Sequence, residues 1–146
     1  MFTIIDRVSE KLEPMLLLVG RLCFAALFLP SGIRKISGVG EFAQSLATRG
    51  VPGSGVLAWI GAIAEFLGPI LLALGIKTRA AALLMVVFTI IATLIAHRFW
   101  EFQDAARVAQ QSNFLKNLAI IGGLLILAAR GGGRYSVDAM MGKGGR

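Results

Sequence analysis

Four stretches of this chain, Met15–Ile33, Val56–Gly75, Ala80–Ala96 and Leu115–Ala129, hold 71 residues between them and three charged side chains, Arg21, Glu65 and Lys116. The other 75 residues carry the remaining 20 charges. Long, nearly uncharged runs joined by short charged connectors belong in a lipid bilayer, whose hydrocarbon core offers an exposed charge no partner. A soluble alternative fails on composition. Of the 146 residues, 56% are hydrophobic before the 18 glycines are counted, and a domain of 15.5 kDa has no interior large enough to hide that much apolar surface. Cys23 is the single cysteine, so no intrachain disulfide, CxxC pair or zinc cluster is expected, and no metal site. The formal charge of +7 then points to anionic lipid headgroups rather than to nucleic acid.

The expected fold is an all-α transmembrane four-helix bundle over residues 15–130, with a cytoplasmic N-terminal segment (1–14) before it and a Gly-rich basic cytoplasmic tail (131–146) after it. Pro14 suits the first turn of the first helix, where its missing N–H is no loss. No small-x-small cleavage site follows the first span, so it is read as retained. Leu115–Ala129 is too short to cross about 30 Å at about 1.5 Å per residue. The Gly- and Pro-free DAARVAQQS before it extends that helix back to about Asp104. Four spans put both termini on one side, with Arg7, Lys11, Lys77, Arg79, Arg130, Arg134, Lys143 and Arg146; the other side holds Arg34, Lys35, Arg49, Arg98 and Arg107. The positive-inside rule makes the first side the cytoplasm. In the connector Arg34–Gly55, Phe42 and Leu46 share a face of EFAQSLATRG, and a short amphipathic helix capping the bundle is expected there.

Helical spacing assigns each polar residue to a stripe. On the first span the stripe is Arg21, Ala25, Phe28, Gly32 and Lys35. On the second it is Gly61, Glu65, Gly68, Leu72 and Gly75; on the third, Thr89, Thr93, His97 and Trp100; on the fourth, Lys116, Ala119 and Gly123. Small residues let helix backbones approach closely in lipid, so all four stripes are expected to meet inside. Counted from the cytoplasmic ends, Arg21, Glu65 and Lys116 lie roughly 9, 15 and 21 Å deep, which suggests an intramembrane charge chain with the acid between two bases. Pro69 withholds the N–H that would bond the Glu65 carbonyl, so a kink and a polar cavity are expected there. Structural explanations stand beside the functional ones: a register-fixing ion pair for Arg21 and Glu65, an outward-reaching amine for Lys116, and an interface anchor for His97 with Trp100. Thr89 and Thr93 are expected to bond preceding carbonyls, and Cys23 to face lipid or core.

The stretches GRLCFAALFLPSGIRKI (20–36), AEFLGPILLALGIKTRAAA (64–82), AHRFW (96–100) and NFLKNLAIIGGLLILAARGGGRYSVD (113–138) resemble the DoxX family of small membrane proteins. The last is the most specific, with Lys and Asn entering an apolar helix, a Gly pair and a GxGRYSxD-like exit. The family's recurrent polar positions fall on Arg21, Gly32, Lys35, Glu65, His97, Lys116 and Asn117. The resemblance implies a cell inner-membrane protein, in some relatives the membrane subunit of a thiosulfate:quinone oxidoreductase, in others a component of stress-response or peptide-modifying systems. The expectation is therefore a quinone-interacting or anchoring subunit of a membrane redox system, with a bound quinone as cofactor and a membrane or periplasmic redox protein as partner. In that role Glu65, His97 and Lys116 would act on the quinone as proton donors and oxyanion stabilisers. Arg21, Lys35, Asn117 and Trp100 would bind it. A non-enzymatic assembly or cargo factor and a small anion or proton carrier are the alternatives. Gly-rich stripes also suit contacts between copies, so a homo-oligomer is compatible with the sequence.

Overall fold

The computed structural model describes residues 3–142; Lys143 and Arg146, two of the basic residues assigned to the cytoplasmic side, lie outside the described residues. The elements are α1 (Ile4–Ser37), α2 (Val39–Thr48), α3 (Ser54–Leu74), α4 (Thr78–Ala96), a 3-10 turn (Phe99–Glu101), α5 (Asp104–Arg130) and α6 (Val137–Met140). Helices α1, α3 and α5, and α4 with the turn after it, are long and apolar enough to cross a membrane. The expected α2 and the early start of α5 are both present. Helix α1 packs on α3, α3 on α4 and α4 on α5, while α2 lies across α3.

Helix α1 begins well before Pro14. Thr3 accepts from the Asp6 N–H at 3.3 Å, and the Asp6 carboxylate accepts from the Thr3 N–H at 2.8 Å. This reciprocal capping box nucleates the helix at Ile4. Pro14 therefore sits inside the helix and not in its first turn, which corrects the expected start. The carbonyl that loses its donor is that of Glu10, on an exposed stretch, where the loss leaves no buried group unpaired.

The core is formed by Phe28, Leu72, Ala82, Met85, Leu124 and Leu127. Ile60, Ile91 and Ile126 stand exposed on the outside, the arrangement expected where lipid covers the surface. Arg21, Ala25, Phe28 and Gly32 are the buried residues of α1, four members of its predicted stripe. At Gly32 the two backbones come so close that a Cβ would lie 2.7 Å from the Glu65 carbonyl carbon and 2.8 Å from the Phe66 Cα. Pro69 does lie one turn beyond Glu65 in α3. The carbonyl it leaves without a donor is covered by Gly32 instead of opening into a polar cavity.

The α5 stripe does not turn inward as expected. Lys116 and Ala119 are exposed, Gly123 is half-buried, and the buried residues of α5 are Leu124 and Leu127.

Candidate functional site

The polar residues collect in three places. At the α6 end of the bundle Arg21 is fully buried, and its Nη2 donates to the Tyr135 carbonyl. Its Nε and Nη1 have no hydrogen-bond partner among the described residues. The guanidinium lies against Gly75, where a Cβ would collide with it. Asp138 closes this end from the other side. Its carboxylate accepts from the N–H groups of Lys77 and Thr78 at 2.7 and 2.8 Å and from the Thr78 hydroxyl at 2.9 Å, and its own N–H donates to the Gly75 carbonyl at 3.0 Å. Burial raises the Asp138 pKa, but the hydrogen bonds from Thr78 and Lys77 and the Arg21 charge outweigh it and hold the carboxyl below the usual aspartate range. Asp138 thus caps the first N–H groups of α4 from a distant part of the chain. Arg79 meanwhile donates to the Ala129 carbonyl at 2.7 Å at the end of α5. Residues 131–138 are folded onto the bundle rather than hanging from it.

The expected pairing of Arg21 with Glu65 is therefore corrected. Glu65 is buried on α3 and bonds Lys35, near the end of α1. The depth estimate placed Arg21 and Glu65 about 6 Å apart along the membrane normal. The Gly32–Glu65 contact brings Lys35, less than one turn after Gly32, to the carboxylate, while Arg21, three turns earlier on α1, points to the opposite end. Lys116 completes no chain, since it is exposed on α5.

At the α2 end, the Lys35 ammonium lies over the Phe42 and Phe88 rings, 4.8 and 5.7 Å from their centroids. Lys35 also lines a cavity of about 370 Å3 between α2, α3 and α4, with Phe42, Leu46, Gly61, Phe88 and Ile91 among its walls. The lining is mostly apolar, with Lys35, Ser45 and Arg49 as its polar side chains, and α5 supplies none of it. Phe88 packs edge-on against Phe28, their centroids 6.4 Å apart, which fixes the ring beside Lys35.

The third set lies along the α4–α5 seam. His97 is the C-cap of α4, and its Nδ1 is 2.8 Å from Gln110 Oε1. Asn117 donates to the Thr93 hydroxyl at 2.8 Å; the Thr93 and Thr89 hydroxyls donate to the carbonyls four residues earlier, both at 2.6 Å. Trp100 does not continue the His97 face as expected, because α4 ends at Ala96 and the chain tightens into the 3-10 turn. It joins Phe99 and Phe114 in an edge-to-face cluster. Of the seven predicted site residues, the fold brings Lys35 and Glu65 together at the cavity, isolates Arg21 at the far end, and leaves His97, Asn117, Lys116 and Trp100 away from the cavity lining. Sequence reasoning missed Thr78, Tyr135, Asp138 and Gln110. The GRYSVD exit motif was the available signal for two of them.

The DoxX family model matches residues 16–98. Inner membrane protein YphA of Escherichia coli K12 is 34% identical over 126 residues, 86% of this chain and 90% of that protein. Inner membrane protein YqjF of the same strain is 34% identical over 134 residues, covering 92% of this chain and 98% of that protein. A 30% identical stretch of 81 residues is shared with the ER-derived vesicles protein ERV29 of Saccharomyces cerevisiae, over 56% of this chain and 26% of that protein. No solved structure matches. Four apolar helices and nearly full-length kinship with two inner-membrane proteins lead to one assignment: the chain belongs to the DoxX family and is a multi-pass protein of the inner membrane.

Proposed function

We propose that the cavity beside Lys35 and Glu65 receives a lipid-borne quinone, and that the protein is the quinone-interacting subunit of a membrane redox system. The observation that carries this reading is a mostly apolar cavity with a cation, Lys35, that is itself bonded to a buried carboxylate. Leu57, Ile60, Leu84, Val87 and Ile91 line the cavity and are also exposed on the flank of the bundle, so a hydrophobic molecule can enter sideways from the bilayer. Quinone reduction takes up protons and builds negative charge on the carbonyl oxygens. Lys35 Nζ is placed to donate to such an oxygen, and Glu65 behind it to accept or return a proton. Phe42 and Phe88 supply flat apolar faces for the ring.

Electrons reach the quinone from a partner redox protein of the membrane or periplasm. With both termini cytoplasmic, the α2 end of the bundle faces the periplasm, the side where such a partner docks. His97, Asn117, Lys116 and Trp100 then act by shaping the adjoining surface rather than by touching the quinone.

The test is to purify the protein in mild detergent, extract it with organic solvent and quantify quinone per chain. A near-stoichiometric amount that disappears in Lys35→Met is expected. Protein that retains no quinone and takes up none when reconstituted with it would overturn the reading, as would equal retention in the variant.

A further inference from the structure

The cavity does not stop at Lys35. Arg49, Val51 and Ile95 line it and also line a second depression of about 330 Å3 that reaches Arg98, so the two form one groove running from the Lys35–Glu65 pair to the end of the bundle. The groove is apolar along its length and cationic where it ends. Arg98 Nη2 donates to the Arg49 carbonyl at 3.2 Å, and Arg49 Nη1 to the Ala96 carbonyl at 3.4 Å, so backbone contacts hold the two arginines side by side. Glu101 pairs with Arg98 at 3.0 Å, which leaves the pair one net positive charge. The apolar flank continues below them through Leu94, Ile91 and Val87, all exposed.

An apolar channel open along a membrane-facing flank, with two guanidinium groups at the depth where the helices leave the hydrocarbon, matches one kind of molecule in chain and head together. We infer that Arg49 and Arg98 form a headgroup site for a phospholipid phosphate, with one acyl chain of that lipid lying in the groove. Guanidinium groups recognise phosphate oxygens through paired, charge-assisted hydrogen bonds. Each basic residue at a membrane surface adds to the attraction for an anionic lipid. The same groove holds quinone under the proposed function, so phospholipid and quinone compete for it, and the lipid is its occupant when no quinone is bound. The headgroup site itself rests on the arginines and the groove, not on the quinone reading.

The experiment titrates short-chain phosphatidylglycerol into the full-length protein in neutral detergent and follows binding by native mass spectrometry, with diacylglycerol and inorganic phosphate as separate arms. One phosphatidylglycerol per chain is expected, with either of the other two binding roughly tenfold more weakly or worse, because each supplies half of the recognition. Arg49→Gln with Arg98→Gln should weaken the lipid by roughly tenfold or more, Arg49→Lys with Arg98→Lys should restore part of it, and Arg107→Gln, an exposed cation away from the groove, should leave it unchanged. Inorganic phosphate binding as well as the lipid would reduce the site to a free-anion site and overturn the inference. So would diacylglycerol matching phosphatidylglycerol, or a double glutamine variant that binds like the parent. A melting curve on each variant verifies that it is folded. Quinone extraction from the parent is read independently, so a quinone-free protein that still binds phosphatidylglycerol would sink the proposed function and leave the headgroup site standing.

Discussion

The two ends of the bundle handle buried charge in opposite ways. At the α6 end, Arg21 is packed against Gly75 and closed in by Tyr135, Ser136 and Asp138. At the α2 end, Lys35 and Glu65 form an ion pair, but α2 lies across α3 without filling the space above them, and a cavity remains. A buried charge in lipid must be satisfied in either case. The difference is that Arg21 is closed over by the chain itself, whereas the Lys35–Glu65 pair keeps apolar room beside it. The closed end is packed as architecture, and the open end keeps the space on which the proposed function rests.

The largest effect expected from disturbing this contrast is at the closed end. Asp138→Ala uncaps the first turn of α4, removing three hydrogen bonds to the carboxylate and the negative charge nearest Arg21, which should cost about 2–4 kcal/mol. Thermal unfolding in mild detergent would measure it. Arg21→Leu added to Asp138→Ala should recover part of the loss, and strictly additive losses would show that the two do not act together. Acid should reproduce a weaker version of this change. Because the folded Asp138 carboxyl titrates below the usual aspartate range, its contribution is fully present above the unfolded-state pKa and is lost as pH falls through the lower folded value. The closed end should therefore be insensitive to pH around neutrality and loosen only in strong acid, which hydrogen exchange at residues 135–139 would report.

A smaller effect is expected where the helices cross. Gly32→Ala pushes a methyl group into the Glu65 backbone and should cost about 1–3 kcal/mol, as overpacking does. It should also separate Lys35 from Glu65, so quinone retention should fall along with stability. At the open end, Lys35→Met should lower stability less than Asp138→Ala, because it removes one side-chain contact where Asp138→Ala removes three hydrogen bonds. Under the proposed function its main expected consequence is loss of quinone retention. Adding Glu65→Gln to it should restore the melting temperature without restoring retention. The smallest effect is expected on α5, where Lys116→Leu removes an exposed side chain and should change stability by less than about 0.5 kcal/mol. A marked loss of quinone in that variant would extend the site across α4 and weaken the contrast between the two ends.

Much of the architecture was legible because bilayer physics acts on single segments. The length and apolarity of the four spans, the backward extension of α5 to Asp104, the short helix around Phe42 and Leu46, and the inward face of α1 all follow from periodicity and span length. The threonine hydroxyls of α4 bond the carbonyls expected of them, since that partner is local. The helix start at Ile4 was misjudged for a local reason too. Pro14 signalled a boundary that the Thr3–Asp6 capping box had already set upstream.

What the sequence by itself determined, then, is a four-span inner-membrane bundle of the DoxX family with charges that must be satisfied inside it. Which charges meet was decided by the tertiary structure. Depth along a helix axis is one coordinate, and it placed Arg21, Glu65 and Lys116 in a line. The partner also depends on rotation and on how closely two backbones approach, and both of these are set by contacts between distant segments. Gly32 against Glu65 brings Lys35 to the carboxylate, the fold-back of residues 131–138 gives Arg21 a carbonyl and a nearby acid, and the outward turn of α5 leaves Lys116 outside. The cavity arises in the same way, from α2 resting on α3 without filling the space that α4 also borders. No single segment encodes such a space.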